Sequence, residues 1–96
     1  MNMQQARRIL HEALEMGLTL HGISASGRPA ISFDYSNPQA EAARRCFNAT
    51  SGLIRELLRA AMIEECQNRG LPQDLPLSFN QTMEQDMQDA RLAIVH

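Results

Sequence analysis

The sequence predicts a small α+β domain of order α-β-β-α-α, a two-stranded antiparallel hairpin packed on helices and completed by dimerisation. Three observations predict it. Leu18 and Leu20, then Ile31, Phe33 and Tyr35, alternate with the period of two that marks half-buried strands. Ser24-Ala25-Ser26-Gly27 between them supplies the turn. Upstream and downstream, apolar positions recur with helical spacing. A lone hairpin is marginal in water, so this one leans on its helices or pairs with a second copy.

The first helix is predicted from about Met3 to Met16, with Ala6, Ile9, Leu10, Ala13 and Leu14 on one stripe and Gly17 placed as its stop. In the hairpin, Thr19, His21, Ser32 and Asp34 are expected to point outward, and Gly22 to mark a bulge where Ile23 breaks the alternation. Ser36-Asn37-Pro38 reads as the entry to a second helix starting near Pro38 and reaching Asn68 or Arg69, with Gly70 and Pro72 as stop signals. Asn48-Ala49-Thr50-Ser51-Gly52 is a run of poor helix formers inside it. Two readings compete there: one helix with a local weakness, or two helices, the second capped by Thr50 or Ser51. One helix is favoured, because Ala43, Phe47, Ile54, Leu57, Leu58 and Ala61 keep their phase at about 100° per residue.

The domain organisation expected is a core over 1–70, a linker over 71–77 and an amphipathic acidic helix over 78–96. On that last helix Phe79, Met83, Met87, Ala90 and Ile94 share one face, while Glu84, Asp86 and Asp89 make the other acidic. Methionine-rich apolar faces re-pack against different partners, so Phe79, Met83, Met87 and Ile94 are candidate partner-binding residues. The second helix has an apolar side widened by Ala42, Cys46, Leu53 and Ala60, more than one hairpin can cover. Leu53, Ala60 and Cys46 are accordingly candidates for a dimer face.

Composition bounds the function classes. The 96 residues are 44% hydrophobic and 21% charged, enough for one globular core. No apolar run approaches the roughly 20 residues that span a bilayer, and the first residues lack a signal-type apolar stretch. No membrane association and a cytoplasmic location are therefore expected. The formal net charge of -2 argues against a general polyanion binder.

Every basic residue is an arginine, and on an unbroken second helix Arg44, Asn48, Ser51, Arg55 and Arg59 would fall within roughly 80° of one another. Arg44, Arg55 and Arg59 are thus candidate contacts to an anion or nucleic acid, weighed against an ordinary solvated face. Cys46 and Cys66 lack metal-ligand spacing and are read as reduced packing residues. His11, His21 and His96 share no motif, and no serine or cysteine has a base placed beside it. Asn48-Ala49-Thr50 matches the glycosylation pattern, an incidental match in a chain without an export signal. No cofactor, metal or catalytic set is expected.

The order helix, Gly17-Leu18-Thr19-Leu20, hairpin with Gly27, strand, helix resembles the small docking domains that join modular biosynthetic enzymes. The resemblance covers about the first 60 residues and rests on element order. The long second helix and the acidic third depart from it, so no residue roles carry over. The function expected is a non-enzymatic protein-interaction protein: a small accessory factor, adaptor or inhibitor of the size often encoded by phages and mobile elements. The alternative is a nucleic-acid-binding regulator using the arginine stripe.

Overall fold

A computed structural model of the chain describes residues 1–75. Helix α1 (Met3–Glu15) leads into strands β1 (Leu18–Ile23) and β2 (Pro29–Phe33), and helices α2 (Ala40–Ala49) and α3 (Gly52–Asn68) follow. This is the expected α+β class, with one antiparallel hairpin and three helices. The expected helix of 78–96, with Phe79, Met83, Met87 and Ile94, lies outside the described residues.

Local chemistry sets the ends of α1. The Asn2 side chain accepts from the Gln5 amide at 2.9 Å, and the Gln5 side chain accepts from the Asn2 amide at 2.9 Å. This reciprocal cap satisfies two of the donors that every helix start leaves open. At the far end Gly17 follows, and its carbonyl accepts from the Asp34 amide at 2.8 Å, joining the helix end to the end of β2.

In the hairpin Leu18, Leu20 and Ile31 are buried and Phe33 packs partly against the core, as the alternation requires. The pairing shifts register between Leu20 and Gly22, leaving His21 as the extra residue of a bulge. The bulge re-phases the strand, so Ile23 is buried after all. His21 stays half-buried on the outer face, where its Nε2 shares a 2.7 Å hydrogen bond with Ser32 Oγ.

Tyr35 departs from expectation. It is 60% exposed, outside the core, because β2 ends at Phe33. Asp34 ends the strand by accepting from both the amide and the hydroxyl of Ser36 through its carboxylate. Those bonds turn the chain and hold the Asp34 carboxyl below the usual carboxylate range. The helix after the hairpin likewise starts later than Pro38, at Ala40. Asn37 spends its side chain on the Gln39 amide and on the Glu15 carbonyl, 2.9 and 3.0 Å away, and the turn delays the first helical residue.

The single long helix expected from Pro38 to Asn68 is two helices, separated at Thr50 and Ser51. The Phe47 carbonyl ends α2 by accepting from the Thr50 amide, the Thr50 hydroxyl and the Arg55 guanidinium, at 3.1, 2.7 and 3.1 Å. Gly52 opens α3 at φ +57, a conformation that is costly for any residue carrying a Cβ. A Cβ at Gly52 would meet nothing within 4 Å, so its cost is purely conformational. Gly52→Ala is expected to destabilise the fold by about 1 kcal/mol without altering it, a shift in urea midpoint at constant slope.

The break redistributes the broad apolar face. Ala43 and Phe47 are buried on α2, while Leu58, Ala61, Met62 and Cys66 are buried on α3. They join Ala6, Leu10 and Ala13 and the hairpin residues in one core. Of the broad apolar face expected of one helix, Ala42, Cys46, Leu53, Ile54 and Ala60 stay exposed. The Arg7 guanidinium binds both carboxylate oxygens of Glu64 at 2.7 and 3.0 Å, an exposed tie between α1 and α3 that holds the Glu64 carboxyl below its usual range.

α3 stops as the sequence requires. The Leu71 amide donates to the Cys66 carbonyl and the Gly70 amide to the Gln67 carbonyl, the paired bonds of a Schellman end, and Leu71 packs against the core. The chain expected to leave as a linker then turns back onto the hairpin. The Ile23 amide donates to the Pro72 carbonyl at 2.8 Å, the Leu75 amide to the Ile23 carbonyl at 3.2 Å, and the Ala25 amide to the Leu75 carbonyl at 3.2 Å. Residues 72–75 thus form a strap on the edge of β1 that β2 leaves open, with Leu75 beside Ser24 as a parallel bridge.

Candidate docking groove

Three helices meet around a groove at the α2–α3 elbow. Ile9, Ala13 and Met16 of α1 and its C-cap line it together with Ala43, Cys46 and Phe47 of α2. Ile54 and Leu58 of α3 and Met1 complete the lining among the described residues. The groove encloses about 400 Å³, within the range of small-molecule and peptide sites. Among the described residues, Glu12 is the single charged side chain in its lining, and Thr50 contributes the other polar group.

The groove exists because α2 and α3 are separate. A continuous helix would carry Phe47 and Ile54 along one line, whereas the chain breaks at Thr50–Ser51 and Leu53 and Ile54 in the first turn of α3 are exposed. Ile54 and Met1 of the lining are 40% and 48% exposed, and Leu53, next to Ile54 in the chain, is 67% exposed. Single exposed apolar residues are ordinary, but a cluster beside a groove marks an interaction surface.

The sequence-derived candidates fall unevenly around it. Cys46 lines the groove as a free, exposed thiol. Leu53 adjoins it in sequence next to Ile54, and Ala60 is exposed further along α3. Cys66 is fully buried, donating weakly to the Gly22 carbonyl at 3.6 Å, and burial pushes its thiol pKa up, which makes it a packing residue.

The arginine stripe was reckoned along an unbroken helix, and the chain breaks between Arg44 on α2 and Arg55 and Arg59 on α3. Arg44 is mostly covered and grips both oxygens of Glu41, which raises its pKa further. Arg55 donates to the Phe47 carbonyl, and Arg59 reaches Glu56 at 3.4 Å. Asn48, which would have shared their face, has its side-chain nitrogen buried with no acceptor among the described residues. That nitrogen is also the atom a glycan would need, so the fold hides the glycosylation match.

His11 stands on the α1 surface, 4.0 Å from a Glu65 oxygen. Among the described residues, no three histidine, cysteine or acidic side chains gather as a metal-holding group, and no helix is long and apolar enough to cross a membrane.

Reading the sequence assigned Ile9 and Ile54 to buried stripes and treated Met16 as a helix end, so it missed their shared role at the groove. The available signal was Ile9 and Met16 at i and i+7, one step around α1 from the buried Ala6, Leu10 and Ala13. Comparison with protein-family models, curated proteins and solved structures finds no match for the chain.

Proposed function

We propose that this chain is a non-enzymatic protein-interaction protein, a small cytoplasmic adaptor or inhibitor that takes an apolar segment of another protein into the α1–α2–α3 groove. The observation that carries this reading is the exposure of Ile54 and Met1 in an opening whose lining, among the described residues, holds one charged side chain, with Leu53 exposed next to Ile54 in the chain. Such a surface exposes apolar area that a partner would remove from water, worth about 25 cal/mol per Å² before binding costs. Cys46 on α2 and Leu53 and Ala60 on α3 are all exposed, which supports a second copy as a further partner. The nucleic-acid alternative keeps its arginines, divided between α2 and α3.

The test replaces Leu53 and Ile54 together by aspartate. Both side chains are substantially exposed, so the double variant is expected to keep the wild-type melting temperature while losing at least about tenfold in affinity for whatever the wild type captures from its host. Undiminished capture by that variant would overturn the reading. So would tight duplex binding at about 50 mM salt that weakens steeply as salt rises and is lost in Arg55→Glu/Arg59→Glu.

A further inference from the structure

We infer that the segment taken into the groove carries a lysine or arginine among its apolar side chains, and that Glu12 receives it. The inference rests on the groove being a docking site and names the chemistry of what docks there. Its first support is the sign of the lining. Among the described residues, Glu12 is the one charged side chain beside Ile9, Ala13, Met16, Phe47 and Ile54. A cation brought to it by a partner would sit against apolar side chains, where less water screens the pair than on an open surface.

The second support is where Glu12 stands on its helix. Glu12 and Glu15 both lie in the last turn of α1, and no basic residue shares that turn. The C-terminal end of a helix carries partial negative charge, so it disfavours two carboxylates and favours a cation. Among the described residues no ion pair reaches either carboxylate, and Arg8, one turn before Glu12, does not pair with it.

The third support is what the cations of the other two helices do. Arg44 and Arg45 of α2 both bond Glu41, and Arg55 of α3 donates to the Phe47 carbonyl at the end of α2. The end of α2 thus has a guanidinium from within the chain, whereas the last turn of α1 has two carboxylates. An acidic segment would meet those carboxylates as like charges, so the same groups that select a basic partner reject an acidic one.

The test uses capped helical peptides of alanine and leucine, identical except for lysine, glutamine or glutamate at one position within the leucine stripe. They are titrated into the intact chain, and binding is followed by NMR shifts of the Ile9, Met16 and Ile54 methyl groups. The lysine peptide is expected to bind at least about tenfold more tightly than the glutamate peptide, with glutamine between, and the gap should narrow as salt rises. Glu12→Lys should reverse the order, and Glu12→Gln should remove most of it. Glu12 is exposed, so both variants are expected to melt as cooperatively as the wild type.

An order that Glu12→Lys leaves unchanged would overturn the inference, as would equal binding of the three peptides or a preference for glutamate. If all three bind alike and the double aspartate variant at Leu53 and Ile54 weakens them alike, the cation falls and the docking site stands. If none binds, the inference falls, and self-association of the wild type that the double variant loses would put a second copy in the groove. If none binds and capture does not depend on Leu53 and Ile54, the inference and the docking site fall together.

Discussion

Gly22→Ala is expected to lower stability by about 2–3 kcal/mol and to release the strap from the sheet. The glycine has φ +146, and a Cβ built on it would lie 2.3 Å from the Pro72 carbonyl oxygen, a backbone atom with no side-chain torsion to relieve the contact. Either β1 or the strap must move. The strap is the weaker element, since three backbone bonds, from the amides of Ile23, Leu75 and Ala25, hold it. Backbone strain of about 1–3 kcal/mol and lost hydrogen bonds of about 1 kcal/mol each set the size of the effect. Urea denaturation measures the loss, and hydrogen exchange locates it: the Ile23, Ala25 and Leu75 amides should lose protection while α1 keeps its own. Full protection at those amides in the alanine variant would show that the approach of Pro72 to Gly22 is not obligatory.

Phe47→Ala is expected to cost about 3–5 kcal/mol, because a ring 4% exposed leaves a cavity that its rigid neighbours cannot fill. A domain of this size has about 5–15 kcal/mol in all, so the variant should be partly unfolded at ambient temperature. The effect centres on α2. That helix is ten residues long, its N-cap makes no side-chain hydrogen bond, and Phe47 is its largest buried side chain. Phe47 also packs edge-on against Phe33, with centroids 6.4 Å apart, linking α2 to the sheet. Tyr35→Ala removes a ring 6.5 Å from Phe33 on the exposed side and should change stability by less than about 0.5 kcal/mol. The contrast between the two variants, read from thermal melts, separates the buried aromatic contact from the exposed one. Similar losses for both would place Tyr35 in the core after all.

Much of the secondary structure was legible in the residues. The stripe of Ala6, Leu10 and Ala13 fixed α1, and the alternation of Leu18, Leu20 and Ile31 fixed the hairpin. Gly22 announced the bulge, and Gly70 with Leu71 announced the end of α3. The Asn2–Gln5 cap was equally readable and was overlooked. Helix breaks were harder. Asn48 to Gly52 carried the signal of weak helix formers, but the unbroken apolar phase pointed the other way. The phase persists because both helices bury into one core, so it cannot tell a straight helix from a bent one.

The sequence by itself determined which segments are helix or strand, where most of them stop, and which residues prefer the interior. Those choices are settled by φ preferences, capping atoms and periodicity acting over a few neighbouring residues. Only the tertiary structure decided the elbow at Thr50–Ser51, the groove that opens beside it and the strap on β1. At the elbow the Arg55 side chain, eight residues on, reaches back to the Phe47 carbonyl. The groove is the space left where three helices meet, and the strap pairs backbone groups far apart in the chain. Their bonds run through amides and carbonyls that every residue carries, so composition and spacing leave almost no trace of them.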